Sequence, residues 1–350
     1  METARRQYAA GRKQHCYRRL LELLRVDPTI WLRNNYFVDA VFADVGRLHE
    51  LNALLGAALK KYPGFHFSQA DYDPARIAIV QKQREAALGR NVPPVLIICQ
   101  HKSGSEAIHA HLAERLELPT MRISLQTMPT DEVVQSWAAD FARGGCLGGP
   151  HLDPTPDNLK KLARAKLRKF VVHVRDPRQS LLSQTHYVKT VRENGSEERL
   201  IYREFSDQSK DLTQRIDECL DRYLDHTVSW VENWLKAAEQ FEILFTTYEQ
   251  FRFDARRFYA RISSFFDLPA VSGDDRETIG KHFRSGRTDE WAQVLTPEQN
   301  ERCNARLSAD LLRRFHWPEP MHALSIGKRN KPGGSPKGLA AAHASVAIDS

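Results

Sequence analysis

The chain has 350 residues, with 51 Lys plus Arg against 44 Asp plus Glu and a formal charge of +7; hydrophobic residues make up 41% and charged residues 27%. Those fractions are globular and exclude wholesale disorder, while the length allows one large domain or two ordinary ones. Uncharged stretches such as Asn91–His101 are about half the ~20 residues that span a bilayer, so no stable membrane insertion is expected.

The charge is unevenly placed. Residues 1–25 hold seven Lys/Arg and two Glu, residues 326–350 hold four Lys/Arg and one Asp, and the body between them is left at −1. A basic excess confined to the ends reads as solubilising arms, so no nucleic-acid partner is expected despite the pI of 9.1. The early arginines lead only into the short Leu20–Leu24 run, which Glu22 interrupts, and no secretory leader is read there. Five cysteines, an odd number with no C-x-x-C pair, fit reduced thiols and a cytoplasmic location better than a disulfide framework or a zinc site.

In chain order, residues 1–90 are expected to form a helical N-terminal extension, with residues 12–90 reading as mainly helical. Leu20, Leu21 and Leu24, then Leu48, Leu51, Leu55 and Leu59, recur at helical spacing. Pro93 and Pro94 open a different texture. The continuous apolar run Val95–Cys99 has strand length and suits a parallel sheet covered on both faces. A Lys-Ser-Gly-Ser loop and a helix with Ile108 and Leu112 follow it. Met121–Leu125 is a second strand candidate, Asp131–Phe141 a helix, and Gly144–Pro150 a glycine-rich turn.

Lys169–Val174 is a further strand, leading through Arg175-Asp176 into a helix with Pro177 in its first turn. Residues 190–215 read as a loop or mobile flap, Ile216–Gln240 as a helix, Glu242–Thr246 as a strand and Ala255–Phe266 as a helix. Residues 273–292 look irregular, and Thr296–Arg314 reads as one helix with Thr296 as N-cap and Pro297 behind it. Residues 326–350 have no core-forming pattern and read as a disordered basic tail. Strands alternating with helices give an α/β class, a central parallel sheet flanked by helices, over residues 91–325.

Two loops carry phosphate-binding chemistry. In Lys102-Ser103-Gly104-Ser105, between a buried strand and a helix, free amides and the helix dipole face an anion. Gly104 permits close approach, Lys102 adds a cation, and Ser103 and Ser105 add hydroxyls. No glycine precedes Lys102 in the Walker A position, which counts against a P-loop kinase. In the second loop, Arg175 stands where a strand ends, the edge at which open α/β sheets bind ligands. Its planar fork suits phosphate, and Ser183 lies eight residues further on.

Together these loops resemble the sulfotransferase family, which uses 3′-phosphoadenosine 5′-phosphosulfate (PAPS). Gln100-His101-Lys102-Ser103-Gly104-Ser105 is similar to its 5′-phosphosulfate loop, with His101 where the family has Pro. Arg175-Asp176-Pro177 with Ser183 matches its 3′-phosphate motif in full. Leu244–Glu249 looks like the strand ending in Tyr-Glu, which implies that Tyr248 meets the adenine. Phe283–Trp291 is similar to the late Arg- and Gly-containing segment that closes over the 3′-phosphate, which implies roles for Arg284, Ser285 and Gly286. The resemblance covers roughly residues 93–318 and implies a P-loop-like architecture.

It implies sulfuryl transfer from PAPS to a hydroxyl, with Lys102 stabilising the leaving phosphate and no metal required. His151, in Gly148-Gly149-Pro150-His151-Leu152, resembles the family's general base; Gly149 stands where the family has Lys. Asp153 ranks below His151 for that role. His109 and His111, two apart on a helix, face different sides and make poor metal partners. The acceptor, a small molecule or a glycan, is not specified. Trp31, Tyr36, Phe37, Phe42, Phe65 and Phe67 and the 190–215 segment are candidates to shape its pocket, though Trp230 and Trp234 read as core. A homo-oligomer stays open. The rival readings are a kinase-like phosphotransferase and a non-catalytic nucleotide-binding scaffold.

Overall fold

The computed structural model describes residues 1–62, 64, 66, 73–125, 131–193, 210–271 and 286–318. Arg284, Ser285, Phe65, Phe67, the Tyr36 side chain, the middle of the 190–215 segment and the 326–350 tail lie outside the described residues.

The chain opens with helices α1 (Glu2–Ala9), α2 (Lys13–Val26), α3 (Ile30–Asp44), α4 (Leu48–Ala58) and α5 (Pro74–Gly89). Asp73 starts α5 by accepting the Ala75 amide, with Pro74 behind it. Strand β1 (Pro94–Cys99) leads into α6 (Ser105–Leu116), followed by β2 (Ser124–Leu125), β3 (Glu132–Val133), α7 (Gln135–Phe141), β4 (Cys146–Gly148) and α8 (Pro156–Arg164). Then come β5 (Lys169–Val174), α9 (Pro177–Glu193), α10 (Leu212–Ala237), β6 (Glu242–Thr247), α11 (Tyr248–Phe253), α12 (Ala255–Phe265), α13 (Trp291–Val294), α14 (Pro297–Arg306) and α15 (Ala309–Phe315).

Four strands make the central sheet, in the order β4-β1-β5-β6 and all parallel. Parallel strands need crossovers, and helices supply them, so the apolar runs are buried on both faces. On one face Val95, Ile97 and Cys99 pack with Ile108, Leu112, Phe258 and Ile262 of α6 and α12. On the other, Leu96, Ile98, Phe170 and Val172 join Leu181, Val228, Trp230 and Trp234 of α9 and α10.

A third core lies among the N-terminal helices, where Trp31, Phe37, Phe42 and Leu55 enclose Leu125, Val134 and Trp137. The Trp137 indole N–H donates to the Leu55 carbonyl at 3.2 Å. Trp31, Phe37 and Phe42 are therefore buried core side chains in this structure.

Five expectations are corrected. Asp131–Phe141 is not one helix: β3 occupies Glu132–Val133, paired antiparallel with β2, and α7 begins at Gln135. The Met121–Leu125 candidate shrinks to the short Ser124–Leu125 strand, outside the main sheet. The glycine-rich Gly144–Pro150 turn contains edge strand β4, whose Gly148 leaves room for the Phe141 ring 2.8 Å from where a Cβ would stand. Thr296–Arg314 breaks in two: Leu307 is extended and Ser308 caps α15 through the Leu311 amide. Thr296 does cap α14, in a reciprocal box with Gln299. Helix α9 runs into the expected flap as far as Glu193, and α10 starts at Leu212. No helix among the described residues is long and apolar enough to cross a membrane.

Candidate functional site

The sheet delivers β1 and β5 side by side, with Cys99 level with His173, so the loops after them meet. The Gln100–Gly104 loop makes two left-handed excursions, Lys102 at φ 61° and Gly104 at φ 86°. Gly104 caps α6 without a side-chain oxygen, so no side chain caps the first-turn amides. A Cβ at Gly104 would stand 3.0 Å from the Tyr248 ring.

Several hydrogen bonds fix this loop to β5 and α9. Gln100 N–H donates to the His173 carbonyl, and the Gln100 side-chain oxygen accepts the Arg175 amide at 2.9 Å. The buried Ser103 hydroxyl donates to the Gln100 carbonyl at 2.7 Å, so it braces the loop from inside. Ser180 Oγ donates to the His101 carbonyl at 2.7 Å. His173 lies fully buried beneath, with Nε2 donating to the Ser103 carbonyl and Nδ1 accepting from Thr246 Oγ1. Burial drives its pKa down to about 3, so it is a neutral strut.

Arg175 and Tyr248 close the other side. The Arg175 guanidinium donates from Nη1 to the Lys102 carbonyl at 2.7 Å and from Nη2 to the Arg287 carbonyl at 2.9 Å. It lies 3.9 Å above the centre of the Tyr248 ring, which is therefore held between Arg175 and Gly104. The late segment returns here through Arg287, next to Gly286 at φ 66°. Gln179 ties that segment down through the Trp291 amide and the Glu290 carboxylate. Ser183 stands half-buried on α9, two turns past Arg175. The Lys102 ammonium rests 3.5 Å from the centre of the Tyr187 ring on the same helix.

The neighbouring Arg178 does not share these contacts. It is fully buried, forked onto Asp176 at 2.7 Å and stacked on Trp291, a structural ion pair. Glu249 acts similarly, taking the Asp176 amide and the Trp317 indole N–H; burial raises its pKa.

His151 sits on the loop after β4, against the end of β1. Its Nδ1 is 2.7 Å from the Cys99 carbonyl, which can only accept, so Nδ1 carries the proton and Nε2 keeps a lone pair. Its amide donates to the Asp131 carboxylate at 2.8 Å. The ring stacks on His101, centroids 4.0 Å apart. Burial lowers the His151 pKa and the Lys102 charge adds to that, while the Cys99 carbonyl and Glu106 oppose both.

Asp153 instead pairs with His226 of α10 at 3.0 Å, and the Trp230 and Trp234 indoles donate to the Leu152 carbonyl. His109 fills the space at Gly149: a Cβ there would lie 1.8 Å from its ring. His111 stacks on Tyr259. Among the described residues no group of three or more His, Cys, Asp or Glu is arranged to hold a metal ion.

Of the predicted site residues, Lys102, Ser103, Gly104, Ser105, Arg175, Tyr248 and Gly286 converge at the strand tips, with Ser183 and His151 on flanking elements. Sequence reasoning missed Asp131, His101, His173, Gln100 and Tyr187. His101 alone had a signal, standing at the place of the family's Pro.

A glycine-lined helix start, the Arg175 guanidinium and the Tyr248 ring thus gather at one place, with both Arg175 Nη atoms held on the Lys102 and Arg287 carbonyls. No curated protein matches the chain. Among solved structures it is similar to mouse sulfotransferase SULT7A1 complexed with PAP, at 14% identity, over 68% of this chain and 93% of that one, with a TM-score of 0.44. It is also similar to the sulfotransferase domain from the curacin biosynthetic pathway, at 13% identity, over 61% of this chain and 97% of that one, with a TM-score of 0.34. The family model described as "Sulfotransferase domain" matches residues 93–278, more than half of the sequence and the whole stretch from β1 through β6, so the chain belongs to the sulfotransferase family.

Proposed function

We propose that this sulfotransferase takes its sulfuryl group from PAPS and passes it to a hydroxyl of a small-molecule or glycan acceptor, in the cytoplasm and without a metal. The transferase unit is residues 91–325, with 1–90 as a helical extension and 326–350 as a basic tail. The observation that carries the reading is the meeting of the two anion loops: Arg175 Nη1 reaches the Lys102 carbonyl at 2.7 Å with Tyr248 beside both.

PAPS supplies an activated sulfuryl group on its 5′-phosphate. The S–O bond to that phosphate breaks as the acceptor oxygen bonds to sulfur, and negative charge grows on the leaving oxygen. Lys102 and the first amides of α6, at Ser105, are the groups for that charge; losing one such donor costs ~10²–10³ in rate. Arg175, Ser183 and Tyr248, with Arg284, Ser285 and Gly286 of the late segment, hold the adenosine and its 3′-phosphate, and so fix the reacting end.

The acceptor proton goes to Nε2 of His151. Its Nδ1–H stays on the Cys99 carbonyl, so the ring cannot turn, and the resulting imidazolium is oriented by that bond. The lowered His151 pKa keeps the base unprotonated at neutral pH.

The test is calorimetry with adenosine 3′,5′-bisphosphate, followed by incubation with labelled PAPS and a panel of alcohols, phenols and glycans without magnesium. Binding and transfer are expected. No binding would sink the reading, binding without transfer would favour a scaffold, and magnesium-dependent use of a nucleoside triphosphate would favour a kinase.

A further inference from the structure

We propose that Tyr187 is a positioning residue for Lys102: its ring holds the lysine ammonium at a fixed place beside the anion cradle before the nucleotide arrives. This rests on the reading of Lys102 as the cation for the leaving phosphate. The Lys102 ammonium lies 3.5 Å from the centre of the Tyr187 ring, close enough for the negative ring face to attract it. Tyr187 stands on α9 one turn beyond Ser183, half-buried and packed against the main core, so the ring is itself held.

The backbone of Lys102 is pinned as well. Its carbonyl takes Arg175 Nη1 at 2.7 Å, and the preceding carbonyl, of His101, takes the Ser180 hydroxyl at 2.7 Å. Carbonyl and ammonium are thus both tied to the segment from Arg175 to Tyr187. A four-carbon stem with a point charge has many rotamers, and each contact that holds the ammonium narrows them. A cation already in place when charge develops costs no reorganisation in the transition state, so its loss is read in kcat.

Two independent measurements test this. Protein labelled with ¹³C at the lysine ε-carbons, without ligand, should show one ε-methylene signal moved upfield by the Tyr187 ring current. Lys102→Arg should delete that signal and so assign it. Tyr187→Phe should keep it and Tyr187→Leu should return it to the unshifted lysines. Lys61 over Tyr62 and Lys169 over Phe265 are further from their rings, at 5.2 and 5.0 Å, and the Lys102→Arg assignment separates them.

In turnover, Tyr187→Leu should lower kcat about tenfold with the KM for PAPS within about twofold, and Tyr187→Phe should restore it. A shifted Lys102 signal that survives Tyr187→Leu, or the absence of one, overturns the proposal. So does a Leu variant that turns over like the parent, since Leu fills the space without the ring face. If the parent transfers nothing from PAPS, the functional reading fails, and the ring-current comparison still decides whether Tyr187 places the ammonium.

Discussion

Arg175 Nη1 donates to the carbonyl of Lys102, 73 positions earlier in the chain, at 2.7 Å. The residue proposed to grip one end of the donor thereby also shapes the loop proposed to grip the other. Lysine cannot reproduce a fork that spans Lys102, Arg287 and the Tyr248 face. Arg175→Lys should weaken binding of adenosine 3′,5′-bisphosphate ~10-fold or more, and lower stability by ~1–3 kcal/mol. Calorimetry and urea unfolding would read the two effects; unchanged affinity would remove Arg175 from the anion site.

Lys102 combines a proposed catalytic side chain with a left-handed backbone at φ 61°. Lys102→Ala and Lys102→Gly should both lower kcat by ~10²–10³. They should differ in stability, Gly exceeding Ala by ~1 kcal/mol, because glycine meets no Cβ penalty there. Equal unfolding midpoints would mean that the loop relaxes out of that conformation.

For His151 the sign follows from burial. Its pKa lies below the usual 6.5, so Nε2 stays unprotonated as the pH falls through that value. The acidic limb of kcat/KM should therefore fall below pH 6.5. Removing the Lys102 charge, which helps to depress the pKa, should move any residual limb upward. His151→Ala should keep nucleotide affinity and lose transfer; full turnover in that variant would exclude it as the base.

His173 bears on stability rather than turnover. It is neutral in the fold with its pKa depressed from 6.5 to about 3, so below pH 6.5 the unfolded chain binds the extra proton. Its contribution is present above pH 6.5 and is lost as the pH falls toward the folded value, by up to ~1.4 kcal/mol per pH unit. Between pH 6.5 and 5, unfolding free energies of His173→Gln should depend on pH less steeply than those of the parent. Parallel curves would contradict this.

Gly149 and His109 should behave as a coupled pair. A Cβ at position 149 would meet the His109 ring at 1.8 Å, and Gly149→Ala should cost ~1–3 kcal/mol. Adding His109→Ala should recover part of that loss, which a double-mutant cycle would measure as coupling. Additive effects would mean that the ring swings aside.

The sheet interior was legible because Val95–Cys99 and Lys169–Val174 are continuous apolar runs, which parallel strands buried on both faces require. The two loops proposed to bind anions stand out in the sequence because Lys102–Ser105 and Arg175–Ser183 are contiguous motifs, and what the structure adds is that they meet at neighbouring strand ends. Strand β4 was hidden because its last residue, Gly148, serves close packing against Phe141 rather than strand propensity. The break at Leu307–Ser308 was hidden inside an otherwise helical pattern, although Ser308 is an ordinary cap. Asp131, His101 and Tyr187 act across the fold, through partners 20, 50 and 85 positions away. No local spacing encodes such pairings.

The Trp137 side chain has a wider consequence. It is fully buried, and the wall around it, with Leu55 as its hydrogen-bond acceptor, comes from the first sixty residues. Trimming those helices away would bare an indole, Leu125 and Val134 to water beside the short hairpin whose Asp131 steadies the His151 backbone. The amino-terminal helices thus wall a core shared with residues of the matched family domain, and a chain without them should aggregate rather than merely lose an appendage.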